Sequence, residues 1–86
     1  MSESIVYSNV SVSSATGLVS IGQHTTSINF LNLDSSNNAT VELNGGPFRV
    51  VIPSQSGGKQ YVKIEGDYTQ FQVITASVNL AVFAIG

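Results

Sequence analysis

Apolar residues in this chain come in runs no longer than a β-strand, most alternating with polar neighbours, and each run stops at Gly, Pro, Asn, Asp or Ser. No window keeps an i, i+3, i+4, i+7 apolar stripe, and β-branched residues dominate, so helices are not expected. Ile5 to Val12 reads as a first strand, closed by Ser13 to Gly17. Leu18 to Ile21 is a short second one, and Ser27 to Leu33 a third. In the third, Ile28 and Phe30 share one parity while Leu31 and Leu33 share the other. Either both faces are covered or a bulge shifts the register. The run Asp34-Ser35-Ser36-Asn37-Asn38 is the clearest loop, because each side chain can hydrogen-bond its own backbone.

Beyond it, Ala39, Val41 and Leu43 alternate with Thr40, Glu42 and Asn44, the pattern of a half-buried antiparallel strand. Gly45-Gly46-Pro47 breaks the chain. Phe48, Val50 and Ile52 then form an inward face, with Arg49 and Val51 outward. Ser54 to Lys59 is a loop, and Gln60 to Glu65 a strand with Val62 and Ile64 opposite Tyr61, Lys63 and Glu65. Tyr68 to Thr75 sets Phe71 and Val73 against Gln70 and Gln72. Ala76 to Ile85 closes the chain and is apolar on both faces, as a central strand or one covered by a partner would be. About eight short strands at 8–12-residue spacing predict an all-β fold. The expectation is a single small antiparallel β-sandwich, jelly-roll-like, or a barrel, spanning residues 1–86.

A domain of 86 residues buries only about 60–65% of its unfolded surface, so its stability margin is thin. Small domains commonly add disulfides, a metal or an oligomeric partner. This chain has no Cys and one His, which removes disulfides and leaves too few ligands for a zinc site. Oligomerisation or docking on a larger body is the remaining route. Charged residues make up 9% of the chain, against roughly 25% in ordinary domains. A net charge of −2 with three scattered cations offers no phosphate-tracking stripe, so nucleic acid is not an expected partner. No basic stretch followed by an apolar one opens the chain, and no apolar run nears ~20 residues. Neither a signal peptide nor membrane association is expected.

Chemical motifs are few. Ser56-Gly57-Gly58-Lys59 matches S-x-x-K, but in a Gly-Gly turn without the helix that motif needs. Gly58-Lys59 is followed by Gln60, which breaks a P-loop reading. His24 lies in a Gly-Gln-His-Thr-Thr connection with no partner set recognisable in sequence, and reads as an exposed loop residue. Asp34, Asn37 and Asn38 miss the spacing of a calcium loop. Glu65 and Asp67 flank Gly66 and read as a solvated turn. Asn9 and Asn38 head glycosylation triplets of the kind expected by chance. No enzyme activity, cofactor or metal is therefore expected. The candidate contact residues are the polar-tipped aromatics Tyr7, Tyr61 and Tyr68, with Phe83 and Ile85 of the apolar last strand.

Three segments together carry a resemblance: "INFLNLDSSNNATVELNGG", "FRVVIPSQSGGKQYVKIEG" and the apolar close "ITASVNLAVFAIG". They resemble the small all-β accessory proteins of tailed-phage virions, the head decoration (cement) proteins and related tail or fibre components. The resemblance implies a structural virion protein on the capsid surface, bound to the major capsid protein or other virion proteins. It also implies a homo-oligomer, with a trimer favoured, and transfers no individual residue role. The alternative is a carbohydrate- or receptor-binding module of a tail fibre or adhesin, with an aromatic platform around Tyr61 or Tyr68.

Overall fold

The computed structural model describes residues 4–46, 48–57 and 61–86. Eight strands follow in order: β1 (Ile5–Val12), β2 (Val19–Ser20), β3 (Ser27–Asn32), β4 (Ala39–Leu43), β5 (Arg49–Ile52), β6 (Val62–Glu65), β7 (Gln70–Val73) and β8 (Leu80–Ile85). Single 3₁₀ turns occupy Ser14–Thr16 and Gln55–Gly57. All pairings are antiparallel. They build two four-stranded sheets with the orders β1-β8-β3-β6 and β2-β7-β4-β5.

These orders have one simple origin. Strand β1 pairs with β8, β2 with β7, β3 with β6 and β4 with β5. The chain is doubled back on itself at the β4–β5 turn, and the resulting ribbon is wrapped so that successive pairs fall on alternate sheets. That is a jelly roll. The doubling point has the chemistry such a turn demands. Asn44 and Gly45 both have positive φ, at 55° and 66°, and the Gly46 N–H closes onto the Leu43 carbonyl at 3.3 Å. This is an Asn-Gly turn of the type I′ form at the end of β4, and the Leu43 N–H, bonded to the Phe48 carbonyl at 3.0 Å, closes the longer loop to β5. The Asn44 side chain also accepts from the Thr69 N–H and donates to the Asp67 carbonyl, which ties the hairpin tip to the β6–β7 connection.

Strand periodicity accounts for the core. Ile28 and Phe30 of β3, with Leu80, Val82 and Ala84 of β8, point inward from one sheet. Ala39, Val41, Leu43, Ile52, Phe71 and Val73 meet them from the other. Phe71 sits between Phe30 and Tyr7, edge-on to both at ring distances of 5.6 and 5.7 Å. One polar side chain is fully enclosed. Asn32 donates to the Asn37 and Ile52 carbonyls and accepts from the Asp34 N–H, so it staples the β3 end to the β5 end.

Several expectations shift. The last strand begins at Leu80, because residues 76 and 77 form a turn with Ser77 at φ 65°. Val78 is buried from outside the strand. Strand β3 has no bulge: Leu31 points outward, and Leu33 lies past the strand end. The irregularities fall in β1, between Ile5 and Tyr7 and between Asn9 and Val12. Bulges on an edge strand discourage edge-to-edge pairing. Phe48 does not join the inward face; it is exposed and stacks on Tyr68 at 6.3 Å. Gly58, Lys59 and Gln60, which decide the S-x-x-K and P-loop readings, lie outside the described residues.

Candidate binding face

The two sheets present very different outer faces. On the β2-β7-β4-β5 sheet the outward positions include Ser20, Thr40, Glu42, Arg49, Gln70 and Gln72, with Val51 at the β5 edge. Arg49 and Glu42 form a cross-strand ion pair at 3.2 Å. That is an ordinary solvated sheet surface.

The outer face of the β1-β8-β3-β6 sheet follows from its register. One row across it runs Ile5, Ile85, Ser27, Glu65, and the next runs Ser8, Phe83, Asn29, Lys63. Ala81 and Leu31 continue the face. Ile5 and Val10 at the β1 edge are 60% and 75% exposed. Strand β8 is central, between β1 and β3. Its outward residues are nonetheless apolar: Ala81 is 7% exposed, and Phe83 and Ile85 are half-buried.

The short residues of β3 make this face concave. Ser27 and Asn29 lie between the larger side chains of β8 and β6, and a groove of about 220 Å³ runs above them. Phe83 and Ile85 line one side, Lys63 and Glu65 the other. Phe83 and Tyr61 stand two strands apart, roughly 9–10 Å at the backbone. Their rings nevertheless meet edge-on at 5.0 Å, so they lean together across β3. Ser27 and Asn29 are only 4% and 6% exposed, although both sit on the outer face, with larger side chains of β8 and β6 on either side.

The polar atoms of this floor are open to a ligand. Asn29 Nδ2 makes one long bond, 3.4 Å, to the Phe83 carbonyl. Ser27 Oγ and Asn29 Oδ1 have no hydrogen-bond partner among the described residues. No sealed side-chain polar atom among those residues is unsatisfied, so both atoms reach solvent through the groove. An apolar group seated there would leave two polar groups unpaired, at about 1–3 kcal/mol each. A ligand with hydroxyls or amides would not incur that cost. Lys63 and Glu65 also lack ion-pair partners among the described residues.

Of the candidate contact residues, the structure brings Tyr61, Phe83 and Ile85 to this face. It places the other two elsewhere. Tyr7 is half-buried against Phe71, and Tyr68 packs on the core margin beneath Phe48. Ser27 and Asn29 were not singled out from sequence. Their only signal there is a polar alternation with Ile28 and Phe30, which reads as solvent-facing until the register shows what leans over them.

A second constellation joins residues far apart in sequence. His24 Nδ1 lies 2.5 Å from Asp67 Oδ2, and the Thr25 N–H donates to Asp67 Oδ1 at 3.0 Å. The Thr25 N–H, and after it the His24 hydrogen bond, hold the Asp67 carboxyl below its ordinary range. The Thr25 hydroxyl accepts from the Tyr68 N–H at 2.7 Å and sits 3.1 Å from the Gly66 and Tyr68 carbonyls. His24 is exposed in its loop as expected, but it has a partner that sequence spacing could not reveal. Asp67 pairs with His24, so it forms no carboxylate pair with Glu65, which lies on the groove rim. A shallow hollow of about 350 Å³ adjoins His24, lined also by Ser20, Gln23, Thr69 and Gln70. None of the described hydroxyls bonds to His24, and the pair's own bonds tie the β2–β3 link to the β6–β7 turn. No group of three or more His, Asp or Glu gathers among the described residues. The Asp34 loop is a true side-chain-closed turn: the Ser36 and Asn37 N–H groups bond its carboxylate and lower its pKa.

The chain matches no family model, no curated protein and no solved structure.

Proposed function

We propose that this chain is a structural virion protein, a capsid decoration (cement) protein that stabilises a phage head from outside. It binds through the β1–β8 half of its first sheet. One observation carries the reading: the β1 edge of that sheet exposes Ile5 and Val10 beside the half-buried Phe83 and Ile85, while the outward positions of the second sheet are polar apart from Val51. An uncovered apolar face on a small domain gains stability by meeting another protein. The low charge content and the resemblance to phage accessory proteins point the same way. The partner in this reading is the major capsid protein or a neighbouring virion protein, and the chain assembles as a homo-oligomer, a trimer being favoured.

Co-sedimentation with phage heads lacking the protein tests it. The chain is expected to pellet with heads in a saturable manner, and an Ile5→Lys/Val10→Lys variant to stay folded in the supernatant. A wild-type chain that stays in the supernatant and remains monomeric at high concentration overturns the reading.

The second reading is a carbohydrate- or receptor-binding module of a tail fibre or adhesin. The groove beside the apolar half of the face favours it.

A further inference from the structure

We propose that the groove above Ser27 and Asn29 is a binding site for a single ring of a neutral sugar. This goes beyond docking on a head, because it concerns the β3–β6 half of the face and a different class of ligand. Four observations converge. The floor offers a hydroxyl and a carboxamide, each more than nine-tenths buried, with Ser27 Oγ and Asn29 Oδ1 unpartnered among the described residues. A sugar hydroxyl both donates and accepts, which suits such a floor. One wall is Phe83, held upright by its edge contact with Tyr61. An aromatic wall packs against the C–H face of a pyranose while the floor takes its hydroxyls.

The opposite wall carries Lys63 and Glu65, two residues apart on β6 and facing the same way. Together they supply cationic donors and anionic acceptors with no net charge. Each charge attracts one sign and repels the other, so the pair favours neither sign overall, and both side chains can hydrogen-bond the hydroxyls of a neutral ligand. The volume, about 220 Å³, is on the scale of one sugar ring. Apolar side chains of a protein partner are disfavoured here, because they would strand the two floor atoms.

Amide chemical shifts of the isotope-labelled full chain test the site. The probes are glucose, galactose, mannose and N-acetylglucosamine, with glucuronate and glucosamine as charged controls. At least one neutral sugar is expected to shift the amides of Ser27, Asn29, Lys63, Glu65 and Phe83 in a saturable way. The dissociation constant should be about 1 mM, as suits a shallow site. Asn29→Leu keeps the branched shape of the side chain, removes its hydrogen-bonding atoms and is expected to lower that affinity at least tenfold. Its thermal midpoint should not fall, and its binding to heads should be unchanged. Ile5→Lys/Val10→Lys is expected to bind sugar normally. The proposal is overturned by no shift with any neutral sugar, by a stronger response to glucuronate or glucosamine, or by unchanged binding in Asn29→Leu. Shifts of the same amides that depend on protein concentration alone would overturn it too, by assigning the groove to self-association. None of these failures bears on head binding.

Discussion

Removing one oxygen atom from Thr25 should weaken the whole domain. Thr25 is 5% exposed and lies where the β2–β3 link crosses the β6–β7 turn. Its hydroxyl accepts the Tyr68 N–H at 2.7 Å and faces two carbonyls at 3.1 Å. Thr25→Val preserves shape and leaves that N–H without a partner. An orphaned donor of this kind costs about 1–3 kcal/mol. The lost donation to a carbonyl adds little, since each carbonyl has a second lone pair. About 2 kcal/mol is the central expectation. A domain of this size has roughly 4–13 kcal/mol in total, so the loss is large. With a urea m-value near 1 kcal/mol/M, the midpoint falls by about 2 M at unchanged slope. The thermal midpoint falls by roughly 8–16 °C. Thr25→Ser keeps the hydroxyl and should lose less than half as much. Hydrogen exchange supplies the local readout, with the Tyr68 amide losing protection first. A urea midpoint within ~0.3 M of wild type, or a Tyr68 amide still protected in Thr25→Val, would refute the role assigned to this hydroxyl.

Three further outcomes follow from the same geometry. The Thr25 N–H and His24 lower the Asp67 pKa in the folded state. Asp67 therefore contributes stability that is complete above its unfolded value near 3.9 and is lost as pH falls through the folded value. Urea melts of Asp67→Asn and wild type should differ at pH 6 and converge on acidification below about pH 4; a gap that widens in acid contradicts the assignment. Gly66 has φ 142°, and a Cβ there would lie 2.9 Å from the Tyr68 ring. Gly66→Ala should cost about 1–3 kcal/mol, whereas Gly46→Ala, where a Cβ meets only the Leu43 carbonyl at 4.0 Å and φ is not positive, should stay within about 0.5 kcal/mol. Phe71→Ala removes the ring between Phe30 and Tyr7 and should cost about 3–5 kcal/mol, read as loss of most of the denaturation midpoint.

Period-two alternation was enough to place the strands and most of the core, because burial on one face of a strand writes itself directly into the sequence. Val62 and Ile64 against Lys63 and Glu65, or Phe71 and Val73 against Gln70 and Gln72, needed nothing else. It failed where a local exception beats the period. Ser77 takes positive φ and delays β8, and Phe48 finds Tyr68 outside the core. Pairings between distant segments leave no local trace. His24 meets Asp67 across 43 positions, and Ser27 and Asn29 become a floor only because β8 and β6 set larger side chains on either side of them.

The apolar close of the chain has the same two-sided explanation. Alternate residues of β8, namely Leu80, Val82 and Ala84, complete the core, and any central strand of a sandwich needs them. Ala81, Phe83 and Ile85 answer no such need, since the matching positions on β7 are Gln70 and Gln72 and those on β4 are Thr40 and Glu42. The other sheet accepts polar residues at those positions, and a half-buried apolar row beside the exposed Ile5 and Val10 adds an aggregation hazard. The same face carries the groove. Strand parity therefore divides this domain: inward residues of β8 and β3 hold the sandwich together, and their outward neighbours line the groove and the half-buried apolar row beside it.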